Sequence, residues 1–324
     1  MRVLVTGASG LLGRRTALAL LERGNDVTVL QRRPSHLPCA EVLGHIADPH
    51  IVQRAAKGCD AVIHLAAKVD VVGPWAEYAA ANIDGTRAVV DACRSAGVAR
   101  LVHVSSPAVA HAGHALAGVG AERADPSSAR SHYARSKAVA ELAALAADSA
   151  DLSVTALRPH LVWGPGDTQL VGRIVSRARA GRLFLVGSGA ALVDTTYVDN
   201  AVEALLAAVD GDTSGEPLVV SNGEPRTVVE IMTRMCQAAG VDGPRGRVPA
   251  PLARLAGSLV EAVWVTTRRR DTPPLTRFLA EQLGTAHWFD QRRTRQVLRW
   301  SPSVALEQGF EELARWYAGG GVSR

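Results

Sequence analysis

Tyr133 and Lys137 stand four residues apart in the run SHYARSK, a spacing that suits proton transfer. Residues four apart on a helix lie one turn from each other on the same face, which would bring an ammonium group beside a phenol. A phenol has a pKa of about 10, and a neighbouring cation lowers that value toward neutrality. The chain uses lysine only at positions 57, 68 and 137 among its 36 basic residues, so a lysine here indicates a role that arginine does not fill. The alternative is a surface helix that carries both residues by chance.

The first thirty residues predict a binding site for a dinucleotide. Residues 2–6 form a short apolar run typical of a buried parallel strand, and a helix is expected over 11–23. Between them, Gly7, Gly10 and Gly13 are spaced three apart, which lets the backbone turn tightly and approach a pyrophosphate at the helix N-terminus. A second strand is expected over 26–30, and we expect no leader ahead of the first strand.

The end of that second strand favours one form of the cofactor. Folds that select NAD place an Asp or Glu near this position, where it accepts hydrogen bonds from the ribose. This chain has Gln31, Arg32 and Arg33 instead. We expect a site where no carboxylate is present to repel a 2′-phosphate and where two guanidinium groups are placed to bind one. We therefore expect NADPH/NADP+, the alternative being a basic loop that only faces solvent.

Composition excludes several classes of protein. A chain of 324 residues with 47% hydrophobic residues is long enough for a Rossmann domain and a smaller lobe. The net charge of +5 is spread out, and no basic tract is interleaved with aromatic residues, so a nucleic acid is not an expected partner. Four scattered cysteines and the lack of an 18-residue apolar run suit a cytoplasmic protein. No histidine pair has ligand spacing, so no metal is expected, and the ten histidines are interpreted as surface or packing residues.

Alternating strand and helix patterns predict an α/β fold with a Rossmann-type doubly wound parallel sheet. Further strands are expected over 61–65, 101–104 and 153–157, and helices over 82–96 and 133–148. Ser105 and Ser106 follow one predicted strand, at the edge of the sheet where ligands bind. We expect an NADP-binding Rossmann domain over 1–160 and a smaller α/β substrate lobe over 161–324, with segments near 190–222 returning to the first domain.

Five motifs in order resemble the extended short-chain dehydrogenase/reductase superfamily: TGASGLLG, SSPAV, YARSK, LRPHLVWGPGD and VDTTYVDNAVEALL. Within it, the chain is similar to the 3β-hydroxysteroid dehydrogenase-like branch. The runs GRLFLVGSGAALVDTTYVDNA and PPLTRFLAEQLGTAHW further resemble the 2-alkyl-3-oxoalkanoate reductases of bacterial long-chain olefin biosynthesis. The resemblance implies a homodimer that uses NADPH to reduce the β-ketone of a long-chain, α-branched keto acid.

The resemblance also implies catalytic roles for matching residues. Tyr133 would be the proton donor, and Lys137 would hold the nicotinamide ribose and lower the pKa of the phenol. Ser106 would hydrogen-bond the carbonyl oxygen, with Ser105 as the alternative. Asn82, in the run NIDGT, would be either a site residue or a cap at the start of a helix.

The residues expected to contact the cofactor come from the same motifs. They are Gly7, Ser9, Gly10, Leu11, Leu12, Gln31, Arg32, Arg33, Ile46, Asp48, Leu65, Ala66, Ala67, Lys137 and Pro159. Extended members usually carry Asp-Leu-x-Asp where this chain has residues 45–48, HIAD, so the first carboxylate is missing and Asp48 either holds the adenine or caps a helix. Arg158 and Pro159 match the place where the family's backbone meets the nicotinamide. His160 or Trp163 is placed to face substrate, and packing is the favoured role for Trp163.

Three classes of function compete. The first is a ketoreductase, or the reverse 3β-hydroxysteroid or alcohol dehydrogenase; the second is a nucleotide-sugar epimerase or dehydratase; the third is an inactive NADP sensor of the same fold. Pro107, Ala108 and Val109 offer no acidic pair for a dehydratase, and epimerases usually hold NAD tightly, which disagrees with the two arginines. Sensors of this fold usually lose the tyrosine.

An apolar helix is expected over 252–265, followed by Arg268, Arg269 and Arg270. An apolar helix that ends in guanidinium groups suits a long acyl chain with a carboxylate, or contact of residues 252–270 with a membrane surface or a partner enzyme. The alternative is a helix packed within the substrate lobe.

Overall fold

The computed structural model describes residues 1–70, 72–111, 113–213, 215–267, 273 and 275–322. Arg268, Arg269 and Arg270, whose side chains we expected to follow an apolar helix, lie outside the described residues.

The strands are, in chain order, β1 (Arg2–Thr6), β2 (Asp26–Gln31), β3 (Ala40–Leu43), β4 (Ala61–His64), β5 (Arg100–Val104), β6 (Leu116–Val119), β7 (Ser153–Pro159), β8 (Val162–Trp163), β9 (Leu185–Val186), β10 (Leu192–Val193), β11 (Thr196–Tyr197), β12 (Pro217–Val220), β13 (Arg226–Thr227), β14 (Arg247–Val248) and β15 (His287–Phe289). The α-helices are α1 (Leu11–Glu22), α2 (Pro49–Ala56), α3 (Trp75–Tyr78), α4 (Gly85–Ala96), α5 (His132–Leu145), α6 (Val171–Arg179), α7 (Val198–Asp210), α8 (Val228–Ala238), α9 (Ala250–Thr266), α10 (Arg277–Gly284), α11 (Arg292–Leu298) and α12 (Leu306–Ala318). A π-helical turn (Ala79–Asp84) joins α3 to α4, and a 3₁₀ helix (Pro107–Ala110) follows β5.

Seven parallel strands form the central sheet in the order β3-β2-β1-β4-β5-β7-β12. The chain winds outward from β1 in one direction and then from β4 in the other, so the strand order reverses between β1 and β4. Ligands of open parallel sheets bind at such a switch point, at the carboxyl ends of the strands. The predicted Rossmann-type doubly wound fold is confirmed.

Both faces of the sheet are covered, because alternate residues of each strand point to opposite sides. Val3 and Val5 of β1 pack in a cluster with α1 and α7, whereas Leu4 packs in a cluster with α2 and α4. This burial on both faces explains why the strands read as continuous apolar runs. Packing on both faces also holds the carboxyl ends of the strands in place, and these ends carry the polar groups of the candidate site.

The rest of the chain builds a smaller lobe beside the carboxyl edge of the sheet. Its four-stranded sheet has the order β13-β10-β15-β6, and its core packs α6, α8 and α12 around Trp163. Strand β12 lies in the central sheet and α7 packs against α1, so parts of the segment 190–222 belong to the Rossmann part of the protein. The domain bounds themselves stay a prediction.

Helix α9 leaves an apolar stripe uncovered. Leu252, Leu255, Leu259 and Val263 are between 49% and 62% exposed, and their spacing places them along one side of the helix. Ala253, on the other side, packs against Val186. Among the described residues, no helix combines the length and apolar character needed to cross a bilayer. The expected contact of residues 252–270 with a membrane or partner enzyme stays a prediction.

Candidate active site

Gly7 and Gly13 build a tight cradle at the start of α1. Gly7 has a φ of 78°, and a Cβ atom there would lie 2.8 Å from the backbone nitrogen of Ala66. A Cβ atom on Gly13 would lie 2.4 Å from the Gly7 carbonyl oxygen. Gly10 caps α1 without a side chain, so the first N–H groups of the helix keep their hydrogen-bonding capacity for an anion. This cradle fits the pyrophosphate of a nicotinamide dinucleotide.

The remaining residues predicted around the cradle are close in space. Ser9 is exposed at the loop, and Leu11 and Leu12 are partly buried at the first turn of α1. The Ala66 amide donates to the hydroxyl of Thr6 at 3.1 Å, which holds the backbone of residues 65–67 beside Gly7. These placements agree with cofactor contact, which stays a prediction for each residue.

A polar network under the cradle fixes the strand ends. The Thr6 hydroxyl lies 2.8 Å from His64 Nδ1, and His64 Nε2 lies 3.0 Å from the Thr86 hydroxyl. Burial lowers the pKa of His64 to about 3, and the charge of Lys137 adds to this, so the ring is neutral at physiological pH. Sequence reasoning missed this histidine because nothing in its strand marks it as more than a buried residue.

The end of β2 corrects one sequence inference: a carboxylate is present. Glu41 of β3 accepts hydrogen bonds from the Gln31 amide and from the backbone N–H of Ser35, both at 2.7 Å. The Ser35 N–H is the larger cause that lowers the pKa of Glu41, so the side chain is ionised. Arg32 and Arg33 are both exposed beside it. The expectation of a site free of carboxylates is wrong, because a parallel neighbour strand brings in a residue ten positions further along.

Asp48 caps α2, accepting from the backbone N–H groups of His50 and Ile51 through Oδ1. This is the helix-cap alternative of the sequence analysis, and an adenine contact for Asp48 stays a prediction. Ile46 is buried against Gly85, so its side chain serves the core of the fold.

Helix α5 presents Tyr133, Lys137 and Glu141 at intervals of four residues. The Ser131 hydroxyl caps the helix by accepting from the Ala134 N–H at 3.1 Å. Residues at this spacing share one face, so the phenol, the ammonium and the carboxylate follow each other along the helix. The face points toward the ends of β5 and β7, where the hydroxyls of residues 105 and 106 lie.

Tyr133 meets the hydroxyl of Ser106. Burial raises the pKa of Tyr133, and the hydrogen bond with the Ser106 side chain lowers it by a smaller amount. The net direction is upward, opposite to the expectation that Lys137 brings the phenol toward neutrality, because removal from water outweighs the other effects. The phenol is therefore protonated at neutral pH, which is the form that a proton donor needs.

Ser106, rather than Ser105, meets the tyrosine. Ser106 begins the 3₁₀ helix and its hydroxyl accepts from the Ala108 N–H at 3.3 Å. The Ser105 hydroxyl is buried and has no hydrogen-bond partner among the described residues. The geometry thus separates the two serines, although the catalytic role of Ser106 stays a prediction.

Lys137 is 4% exposed and donates to the Val104 carbonyl at 2.6 Å. Burial lowers the pKa of this lysine to about 8, and Glu141 opposes that shift. Because the value remains above neutrality, a buried cation persists at the end of β5. It stands one helical turn from Tyr133.

Glu141 is held by Arg158 of β7 in a two-point ion pair. Arg158 Nε donates to one carboxylate oxygen at 2.8 Å and Nη2 to the other at 2.5 Å, and both side chains are 1% exposed. Arg158 Nη1 also donates to the Glu122 carbonyl at 2.7 Å. Sequence reasoning gave Arg158 only a backbone role, and missed that its side chain ties α5 to the sheet.

Asn82 lies within the π-helical turn and not at a helix start, so the cap interpretation is wrong. Its Oδ1 accepts from the Lys68 N–H at 2.7 Å, and its Nδ2 donates to the Lys68 carbonyl and to the Ser136 hydroxyl. The helix expected over 82–96 begins earlier, at Trp75, and passes through this wider turn. Asn82 therefore ties the loop after β4 to α5.

Five of the ten histidines are buried and the other five are exposed, and the interpretation of the histidines as surface or packing residues stays a prediction. The buried five are His64, His103, His111, His160 and His287. His111, His160 and His287 lie together between the 3₁₀ helix, the end of β7 and β15. Among the described residues, no group of histidine, cysteine or acidic side chains has a geometry that could hold a metal ion.

Trp163 packs in the lobe core, stacked on Phe310, as expected for a packing residue.

Comparisons of the chain with known proteins all indicate the same family. The model of the NAD dependent epimerase/dehydratase family matches residues 3–221. The chain is 41% identical to the 2-alkyl-3-oxoalkanoate reductase of Stenotrophomonas maltophilia, over 97% of this chain and 98% of that protein. It is 30% identical to the 3 beta-hydroxysteroid dehydrogenase/Delta 5-->4-isomerase of Mycobacterium tuberculosis, over 98% of this chain and 90% of that protein. A solved structure of MoeE5 in complex with UDP-glucose and NAD matches 99% of both chains with a TM-score of 0.76 and 26% identity.

Glu141→Gln should destabilise the fold strongly, since it leaves the Arg158 guanidinium buried without its counter-charge. We expect a loss of about 3–5 kcal/mol in the free energy of unfolding, measured by urea denaturation. Glu216→Gln is the matched control, because Glu216 pairs with Arg293 at the surface and should cost less than about 1 kcal/mol. Equal effects of the two variants would contradict a structural role for the buried pair.

The buried Lys137 should make the free energy of unfolding increase as the pH rises. Its folded pKa of about 8 lies below the ordinary value of 10.5, so the unfolded chain binds more protons between these values. Stability must therefore rise with pH across this window, and below pH 8 the full cost of the buried charge is present. Relative to Lys137→Met, the wild type should gain up to about 3 kcal/mol between pH 7.5 and 10.5, measured by urea denaturation. A constant difference would contradict the lowered pKa.

Proposed function

This chain belongs to the NAD dependent epimerase/dehydratase family, the extended short-chain dehydrogenases/reductases, and from that premise we propose that it is an NADPH-dependent ketoreductase acting on 2-alkyl-3-oxoalkanoates. The predicted membership and its 3β-hydroxysteroid dehydrogenase-like branch are confirmed, and the curated relatives are oxidoreductases. The observation that carries the proposal is the grouping of Ser106, Tyr133 and Lys137 at the carboxyl edge of the sheet. The product would be the 3-hydroxy acid.

The cradle of Gly7, Gly10 and Gly13 would hold the dinucleotide, and Lys137 would hold its nicotinamide ribose. When bound, the cofactor supplies the hydride that reduces the ketone carbon. The protein's own task is to manage the negative charge that develops on the ketone oxygen. Donors that are already oriented in a site shielded from water stabilise such charge far better than bulk water does.

Ser106 and Tyr133 are the two donors placed for that oxygen. Tyr133 passes its phenolic proton to the oxygen as the charge develops, and its raised pKa keeps that proton available at neutral pH. The phenolate that remains lies one helical turn from the Lys137 ammonium, whose positive charge stabilises it. Glu141 supports this arrangement, because its carboxylate favours the charged form of the lysine.

Features of the chain favour the ketoreductase over the sugar-converting members of the family. The 3₁₀ helix after Ser106 consists of Pro107, Ala108, Val109 and Ala110, which carry no acid for an elimination. The neighbouring lobe exposes leucines on α9, a surface more suited to alkyl chains than to a nucleotide sugar.

A 3β-hydroxysteroid or alcohol dehydrogenase is the second candidate function, supported by the 30% identical relative. A place in olefin biosynthesis, a cytoplasmic location and a homodimer belong to the same proposal.

The proposal predicts consumption of NADPH, followed at 340 nm, on addition of a 2-alkyl-3-oxoalkanoate but not of UDP-glucose. Tyr133→Phe should lower kcat by about 10²–10⁴-fold, because the proton donor is lost. Ser106→Ala should lower it by about 10²–10³-fold, because one donor to the oxygen is lost.

Ser105→Ala is the matched control for Ser106→Ala, since the Ser105 hydroxyl has no partner to lose among the described residues, and it should change kcat less than tenfold. Conversion of the sugar without net use of cofactor would overturn the proposal. A larger loss from Ser105→Ala than from Ser106→Ala would reverse the assignment of the serines.

Cofactor preference gives a second prediction. Arg32→Ala with Arg33→Ala should raise KM for NADPH by about tenfold or more and leave KM for NADH nearly unchanged, because only NADPH carries the 2′-phosphate. Glu41→Gln tests the unexpected carboxylate: with its charge removed, KM for NADPH should fall and that for NADH should not. A wild-type enzyme with equal kcat/KM for both cofactors would contradict the preference.

A further inference from the structure

We propose that His111, His160 and His287 form the binding site for the carboxylate of the substrate, beside the site that binds its ketone. The inference rests on the proposed ketoreductase function and deepens it, because it explains how a keto acid would be recognised by a lobe that is otherwise apolar. None of the three histidines has a role in the hydride or proton transfer described above.

The three rings form a continuous buried row. The ring centroids of His111 and His287 are 5.1 Å apart, and those of His287 and His160 are 6.1 Å apart. Phe278 packs edge-on against His111, and Phe289 packs against His160. All three histidines are at least 95% buried, so the row is a polar strip inside the protein with one phenylalanine ring packed at each end.

Nitrogen atoms in this row lack hydrogen-bond partners. Both ring nitrogens of His111 and Nδ1 of His160 are buried without a partner among the described residues. A buried polar group left unpaired costs about 1–3 kcal/mol, and such groups are uncommon outside functional sites. His103 also lacks partners, but it lies within β5, paired in register with His64 in the sheet. The row at His111 and His160 instead borders the lobe.

The row begins next to Ser106. Strands β5 and β7 are parallel neighbours whose last paired residues are Val104 and Leu157. Ser106 follows the paired part of β5 by two residues and His160 follows that of β7 by three, so both lie just beyond the carboxyl ends of adjacent strands. Ser106 and His111 are the residues that cap the two ends of the 3₁₀ helix. Since such a helix rises about 2 Å per residue, Ser106 and His111 lie within about 10 Å of each other. We therefore expect His160, one end of the row, to lie near the Ser106 hydroxyl that would bind the ketone.

The covalent structure of a 3-oxo acid requires this adjacency. The carboxyl carbon is two bonds of about 1.5 Å from the ketone carbon, so the carboxylate must bind within a few ångströms of the ketone oxygen. A ketone held by Ser106 and Tyr133 would extend its carboxylate toward His160. Imidazole N–H groups are suitable donors to a carboxylate, and hydrogen bonds to a charged group contribute about 1.5–3 kcal/mol.

The charge state of the row fits an anion that arrives with the substrate. Burial lowers the pKa of His160 to about 4 and that of His287 to about 3, so the rings are neutral before binding. An opposite charge favours the protonated form of a neighbour, so a bound carboxylate should raise these values and draw a proton from solvent.

Four other titratable groups face the row. Arg130 and His114 disfavour a charge on His111, whereas Glu281 of α10 favours it and is itself paired with Arg130 at 3.3 Å. His160 bonds to the backbone of Asp194, whose carboxyl group hydrogen-bonds the Ser221 hydroxyl. Glu281 is neutralised by Arg130, and Asp194 Oδ2 accepts from Ser221 whereas its Oδ1 has no partner among the described residues. The free nitrogens of His111 and His160 retain their capacity to bind an anion.

Comparison of an acid with its ester tests the proposal. The stable substrates are a 2-alkyl-3-hydroxyalkanoate and its methyl ester, oxidised with NADP+ and followed at 340 nm. The wild type should favour the acid in kcat/KM by about 10–100-fold, the equivalent of one hydrogen bond to a charged group. His111→Phe and His160→Phe keep the aromatic packing, and each should reduce that ratio about tenfold while changing kcat/KM for the ester less than about threefold.

His50→Phe is the matched control, because His50 is exposed on α2, a helix that packs against α4, β2 and β3, and its acid-to-ester ratio should equal that of the wild type. An unchanged ratio in both row variants would overturn the carboxylate site and leave the ketoreductase intact. No turnover of acid or ester by the wild type would overturn the ketoreductase and this inference together.

Calorimetry on the wild type keeps the test independent of how the variants fold. The hydroxy acid is titrated into the enzyme with NADPH, a pair that cannot react, in two buffers of different ionisation enthalpy. Binding of the acid should take up protons near pH 7, whereas binding of the ester should not. Equal proton uptake for the two ligands would contradict the site.

Discussion

The two-point ion pair between Arg158 and Glu141 is the contact on which the arrangement of Tyr133 and Lys137 depends. It joins the last turns of α5 to β7, and through α5 it sets the positions of Lys137 and Tyr133 relative to the strand ends. A buried ion pair is weak evidence of stability, since desolvation opposes the attraction of the charges. Here its value lies in orientation, because a fork of two hydrogen bonds fixes both the rotation and the height of the helix.

The same pair also sets the electrostatics of the site. Lys137 is a buried cation whose charge survives because Glu141 lies one turn away, while His64 and His103 beneath it are kept neutral by burial. The positive charge of Lys137 therefore lies one helical turn from a protonated phenol. In a medium of low dielectric constant, such a charge acts on its neighbours more strongly than it would in water.

Much of this could be predicted from the sequence, and the reason is local spacing. The glycine cradle, the strands of the sheet and the pair of Tyr133 and Lys137 all depend on residues within a few positions of each other. The groups that were missed come from distant segments: Glu41 reaches Gln31 through strand pairing, and His111 meets His287 across the lobe. The π-helical turn was missed because one extra residue per turn leaves no mark in the pattern of apolar residues. Burial reversed the expected direction for the pKa of Tyr133, and burial cannot be measured from spacing.

The scarcity of lysine has a practical consequence for handling this protein. Lys137 is buried, and Lys68 is engaged by Asp70 and Glu77 at 2.6 and 3.0 Å, which leaves Lys57 as the exposed side-chain amine. Lys57 follows α2 and precedes β4, so it lies at the amino edge of the sheet, opposite the carboxyl edge that carries the candidate site. Coupling to an amine-reactive resin would therefore attach most molecules through one face and leave the mouth of the site directed toward the solution.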